Sequence, residues 1–144
     1  STEKNPEFIQ VQRLLAGAGV RVPALVAADV DRGLLLLEDL GNDTLLPVLS
    51  DYSVGAWYGM GLNTLVTMAG IDASQADLPP YDRERLQAEL DLFIDWFVPK
   101  LLGYTVDNPL REGFSALSQL LINSALAQPQ VVVHRDFHSR NLMC

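Results

Sequence analysis

Where the β-forming residues fall constrains this chain more than any other feature. Upstream of Val131 the strand-like runs are Ala24 to Val30 and Leu34 to Glu38, with Asp31-Arg32-Gly33 between them as a turn. So short a link predicts an antiparallel hairpin, because parallel neighbours need a crossover of a dozen residues or more. From Gly41 to Gln128 the apolar spacing is helical almost without a break. The order is helix, two strands, a block of helices, then the β-branched run Val131-Val132-Val133 leading into a polar loop. That is α+β segregation rather than alternating βα units, and it disfavours a Rossmann-type sheet.

The helices announce themselves at their ends. Asn5-Pro6 is a helix opening, since Asn can cap and Pro at the first helical position loses no needed donor. Phe8, Val11, Leu14, Leu15 and Ala18 then share one face, and Gly17, Gly19 and Pro23 close the helix. Gly41-Asn42-Asp43 interrupts the pattern, Leu45 to Leu49 reads as a short helix, and a longer one runs from about Ser53 to Ala69. Its inner side is expected to carry Tyr58, Leu62, Leu65, Val66 and Ala69. Gly70 to Pro80 is a loop. Asp82 caps the next helix, with Leu86, Leu90, Phe93, Ile94, Phe97 and Leu101 inward and Arg85, Glu89, Asp91 and Asp95 solvated. A last helix, about Pro109 to Leu126, turns Phe114, Leu117, Leu120, Leu121 and Ala125 inward, and Val131 to Val133 is expected as a strand. Trp57, Trp96 and Phe97 are assigned to the core.

Composition removes several function classes. Ten Lys and Arg against eighteen Asp and Glu leave a net charge of −8, which argues against a basic surface for nucleic acid or anionic lipid. The single cysteine, Cys144, excludes a disulfide framework and a cysteine-rich zinc site. No apolar run, Leu34 to Leu37 included, approaches a membrane span, and the opening residues lack a signal peptide's basic start and apolar stretch. A cytoplasmic protein, without membrane or nucleic-acid partners, is the expectation.

The chemistry sits at the end. Val131-Val132-Val133 delivers His134-Arg135-Asp136-Phe137-His138-Ser139-Arg140-Asn141, and Leu142-Met143 begins a second apolar segment. A polar loop anchored by apolar residues on both sides suits a positioned catalytic group. Asp136 and Asn141 are close enough in sequence for one tight loop to bring their side chains to a common cleft, with Phe137 turned into the core. A carboxylate there can accept a hydroxyl proton, while an amide oxygen can bind a hard cation such as Mg²⁺.

His134-Arg135-Asp136, four intervening residues and Asn141 resemble the catalytic loop of the protein-kinase-like phosphotransferases. Phe137-His138-Ser139-Arg140 resembles the aminoglycoside phosphotransferase and choline kinase-like family, where a histidine commonly sits two residues after the aspartate. Within it the likeness is nearest to bacterial cell-wall sugar kinases acting on N-acetylmuramate and N-acetylglucosamine, carried by Ala18 to Pro23, Leu34 to Gly41 and His134 to Met143. The resemblance implies a protein-kinase-like fold, with residues 1–40 as the remnant of an N-terminal lobe and 41–144 as a helical C-terminal lobe. It implies Asp136 as catalytic base, Asn141 as holder of Mg²⁺ on ATP, and His134, Arg135 and His138 as structural support of the loop. Glu38, Asp39 and Leu40 would form the hinge that meets adenine through backbone groups, and the first helix would pack behind the nucleotide. The implied partner is a small molecule: a sugar, an amino sugar, or alternatively an aminoglycoside or choline.

Parts of that pattern are missing. The chain has two lysines, Lys4 and Lys100, and neither follows a strand, as an ATP-phosphate lysine would. No glycine-rich segment precedes the first helix, and no second metal-binding aspartate follows Asn141. Glu7 and Gln10 both contend for the place of the lysine's partner. The expectation is therefore the middle of a longer phosphotransferase, itself without measurable kinase activity, binding ATP no better than about millimolar and self-associating through the hairpin's exposed edge. A second reading stays open: a non-catalytic helical scaffold or pseudokinase-like binding module.

Overall fold

The structure, a computed structural model, describes residues 5–75 and 77–144. Lys4 and Ala76 lie outside the described residues. The chain forms two compact units, one comprising the residues up to Asp77 together with Val131–Cys144, the other Leu78–Gln130.

The first unit opens with α1 (Asn5–Gly17). Asn5 is its first helical residue rather than a residue preceding it. Gly19, at φ +84°, ends the helix: its N–H donates to Ala16 O and that of Val20 to Leu15 O, both at 3.0 Å. This left-handed closure satisfies carbonyls that the last turn would otherwise leave open. Leu15 is buried, whereas Phe8 is exposed rather than inward.

β1 (Leu25–Asp29) and β2 (Leu34–Leu37) pair antiparallel, as the short link predicts, with Leu25 opposite Leu37 and Asp29 opposite Leu34. The register shifts between Leu25 and Ala27, so exposed Val26 is the extra residue of a bulge. Gly33 completes the turn at φ +71°. Leu34 and Leu36 face solvent while Leu35 and Leu37 are half-buried. After Gly41, also at positive φ, come α2 (Leu45–Val48) and α3 (Val54–Ala69).

Two expectations fail in this unit. α3 turns Trp57, Gly61, Leu65 and Met68 inward, Trp57 and Leu65 as expected, and leaves Tyr58, Leu62, Val66 and Ala69 exposed. Both stripes have helical spacing, so the choice between them rests on what packs against the helix. Val131 to Val133 is not a strand: no described neighbour offers it a ladder of hydrogen bonds, and Val132 alone of the three is buried. The β-type contact of the terminal segment lies further on, at a bridge between Thr44 and Met143.

The second unit is a helical pair. Asp82 caps α4 (Arg83–Leu92), its carboxylate accepting the Arg85 N–H at 3.0 Å. The chain continues as a π-helical segment, Phe93–Leu101, containing Pro99. Proline has no N–H to give and its ring crowds the carbonyl four residues back, and a widened turn accommodates both. α5 (Asn108–Leu126) is capped by Asp107, which accepts the Leu110 N–H at 2.9 Å. Ile94, Val98, Ser118 and Ile122 are the buried residues. Phe93, Phe97, Leu101, Leu117, Leu120 and Leu121 are exposed instead of inward, and Trp96, assigned to the core, is 62% exposed. Phe93 stacks on Phe97 and on Phe114, with centroids 5.2 and 5.6 Å apart. No helix among the described residues is long and apolar enough to cross a membrane.

Candidate active site

The polar loop is held by an exchange of backbone hydrogen bonds with the start of α2. A helix begins with N–H groups that have no partner inside it, and Thr44 supplies no side-chain cap. The loop fills the gap: Leu45 N–H donates to Leu142 O at 2.8 Å and Leu46 N–H to Ser139 O at 3.0 Å. Cys144 N–H donates to Asp43 O at 3.0 Å, extending the clamp past the Thr44–Met143 bridge. Phe137 meets His134 edge-on, with centroids 5.3 Å apart. It is half-buried and lies against α3 at Gly61, where a Cβ would come within 3.3 Å of its ring. The expectation that Phe137 turns inward holds to that extent. Gly61 escaped the sequence reading, although a glycine inside a helix is a signal of close approach.

Arg135 stands at φ +72°, a left-handed conformation that costs a non-glycine residue about 1 kcal/mol or more. Such strain persists only where the surroundings hold it, and here it falls immediately before Asp136. Asp136 and Asn141 come together on the loop: Asn141 Nδ2 donates to Asp136 Oδ2 at 2.7 Å and to Asp136 O at 3.0 Å. His138 joins them, its Nε2 lying 3.2 Å from Asp136 Oδ1. Asp136 remains open to solvent, its side chain 71% exposed. His134 and Arg135 are exposed as well.

Glu38 is engaged through its side chain. Arg21 grips its carboxylate with two guanidinium nitrogens at 2.6 and 2.8 Å, and the Ala24 N–H adds a third bond at 3.0 Å. The Arg21 hydrogen bond, followed by that of Ala24, holds the Glu38 pKa down to about 2. Its own N–H donates to Ala24 O at 2.8 Å, closing the hairpin. Asp39 accepts the Gly41 N–H at 2.8 Å in a tight turn, and Leu40 is half-buried. Only Gly41 and Asn42 separate these residues from the segment that clamps the loop. Glu7 is exposed on α1, and Gln10 donates to Asp77 O at 2.9 Å.

Among the described residues no three His, Cys, Asp or Glu side chains converge as a metal site. The donor set at Asp136 and Asn141 is hard oxygen, and no described donor engages Asn141 Oδ1. That fits Mg²⁺, which takes one or two protein oxygens and completes its shell with water and phosphate.

Over 136 residues the chain is 41% identical to an N-acetylmuramate/N-acetylglucosamine kinase of Pseudomonas aeruginosa, covering 94% of this chain and 40% of that protein. It is 40% identical over 136 residues to the protein of the same name from Pseudomonas putida, with the same coverage. For that of Neisseria meningitidis serogroup B the identity is 37% over 139 residues, covering 94% of this chain and 41% of the relative. The chain thus spans about two fifths of the length of the curated relatives it matches. A model of the phosphotransferase enzyme family matches residues 1–144. The chain, with its helices, hairpin and aspartate–asparagine loop, thus belongs to the phosphotransferase enzyme family, whose fold is protein-kinase-like.

Proposed function

We propose that the protein carrying this chain is an ATP-dependent sugar kinase of the cytoplasm, which transfers the γ-phosphoryl group to a hydroxyl of N-acetylmuramate or N-acetylglucosamine. The names of the relatives support the acceptor class. The observation that carries the chemistry is the pairing of Asp136 with Asn141 inside one hydrogen-bonded loop.

In this reading Asp136 is the catalytic base. It orients the acceptor hydroxyl and takes its proton as the oxygen bonds to the γ-phosphorus and the bond to the β-phosphate bridge breaks, releasing ADP. Its exposure leaves room for the acceptor. Asn141 would hold Mg²⁺ through Oδ1, and the ion would supply neutralisation of the ATP phosphate charge. His134 and Arg135 support the loop's course ahead of the base. Adenine would be met by backbone groups of Glu38 to Leu40. The Glu38 N–H is committed to the hairpin, so the Glu38 carbonyl and the backbone groups of Asp39 and Leu40 are what remains for a base edge. The Glu38 carboxylate, tied to Arg21 and Ala24, shapes that segment rather than touching nucleotide.

The test is an ADP-release assay of the full-length protein with Mg²⁺-ATP and a panel of acceptors: N-acetylmuramate, N-acetylglucosamine, kanamycin-type aminoglycosides and choline. Turnover with the N-acetylated sugars is expected. Turnover confined to aminoglycosides or choline refutes the acceptor class, and no turnover with any acceptor favours the pseudokinase-like scaffold.

A further inference from the structure

The loop contains a further polar side chain, His138, beside the base. Arg140 N–H lies 3.2 Å from His138 Nδ1, so Nδ1 is the acceptor and the neutral ring carries its proton on Nε2. That Nε2 lies 3.2 Å from Asp136 Oδ1. An independent count agrees. Asn141 Nδ2 has two hydrogens, and both are spent on Asp136, one on Oδ2 at 2.7 Å and one on the backbone O at 3.0 Å. None remains for His138 Nε2, 3.3 Å away, and none is needed if Nε2 is itself a donor. Asn141 N–H, donating to His138 O at 2.9 Å, closes the turn that brings the three side chains together.

We infer that His138 is a positioning residue of the transfer reaction: its tautomer, set by the Arg140 backbone N–H, aims an Nε2–H at Asp136 Oδ1 and holds the carboxylate in one orientation. This rests on the reading of Asp136 as the base. An aspartate as exposed as this one would otherwise turn freely about its side-chain bonds. Donors on both oxygens, His138 on Oδ1 and Asn141 on Oδ2, fix the carboxylate plane, and with it the direction of the lone pairs left for the acceptor hydroxyl. Transfer by positioning is sensitive to errors of this kind, whereas binding of ATP and sugar is not. The effect therefore belongs in kcat and not in KM. A histidine that merely fills space would show neither the tautomer nor the split.

The test uses the full-length protein and four variants: His138→Phe, His138→Gln, His138→Asn and Asp136→Asn. Glutamine carries an N–H where Nε2 stands; asparagine carries one only where Nδ1 stands. Replacing a residue that orients a reacting group costs about tenfold or more, so His138→Phe and His138→Asn should lose about tenfold in kcat, with both KM values within about twofold. His138→Gln should recover to within about threefold of wild type. Histidine-selective ¹⁵N NMR, at a pH where an ordinary imidazole is neutral, should show the Nε2–H tautomer for the resonance that His138→Phe removes. An Nδ1–H tautomer overturns the inference, as does a glutamine variant no faster than the asparagine one. If His138→Phe fails to fold, the Gln–Asn pair and the tautomer decide. Wild-type kcat in His138→Phe beside a dead Asp136→Asn sinks the role of His138 alone; turnover in Asp136→Asn sinks the base reading and this one together.

Discussion

The catalytic-loop segment and the helical pair α4–α5 achieve order by opposite means. From His134 to Asn141 every described side chain is exposed or half-buried, and order comes from hydrogen bonds: the clamp on Leu45 and Leu46, the Asp136–Asn141 pair and the turn closed by Asn141 N–H on His138 O. The helical pair has the reverse economy. Its buried residues, Ile94 and Val98 on the π-helical continuation of α4 and Ser118 and Ile122 on α5, are apolar but for the serine, and many larger apolar side chains around them stay exposed. Hydrogen bonds are directional and can aim a side chain; apolar burial is not directional and supplies stability without aim. A substitution in the loop should therefore change function at nearly constant stability, and one in the helical pair the converse.

The largest effect expected is on turnover. Asp136→Asn in the full-length protein should lower kcat by about 10²–10⁴-fold or more, with ATP affinity and melting temperature nearly unchanged. A variant keeping above about a tenth of wild-type rate would show that Asp136 is not the base. Ile122→Ala sharpens the other side. Ile122 is 1% exposed, and truncating a buried isoleucine costs about 2–5 kcal/mol. Urea denaturation should show that loss, while kcat at a temperature where the variant stays folded should hold. A loss under about 1 kcal/mol would mean that this site collapses around the cavity and that the core is looser than it looks.

Asp82→Ala asks whether a directional bond matters in the helical pair. Losing the cap on Arg85 N–H should cost about 0.5–2 kcal/mol of stability, read as a shift of the urea midpoint at constant slope. The smallest effect is expected at Glu38. Its pKa falls from the usual 4.5 to about 2 because the folded chain supplies the Arg21 and Ala24 hydrogen bonds. A carboxylate depressed by folding stabilises the fold fully above its unfolded pKa and loses that contribution as pH falls through the folded one. Thermal melts of the wild type should therefore weaken between about pH 5 and pH 2, and Glu38→Gln should flatten that part of the curve. An identical acid limb in the two proteins would show that the Arg21–Glu38 pair does not persist in solution.

The sequence by itself determined what local chain chemistry decides. Gly19 ends α1 because only a residue at ease with positive φ can turn the last carbonyls back on themselves. Asp82 starts α4, Asp31-Arg32-Gly33 folds the hairpin, and the spacing of Asp136 and Asn141 marks the loop, since each depends on residues a few places apart. Tertiary structure decided whatever needs a distant partner. α3 had two apolar stripes of helical period, and burial went to that of Gly61, Leu65 and Met68, where Phe137 comes against Gly61 from the far end of the chain. Val131 to Val133 has strand composition without a described strand beside it, so composition could not make it one. The loop's anchor, Leu45 and Leu46 donating to Leu142 and Ser139, joins residues almost a hundred places apart in the sequence. No periodicity records such a contact, because a helix's first N–H groups accept any well-placed carbonyl, and only the folded chain decides which one arrives.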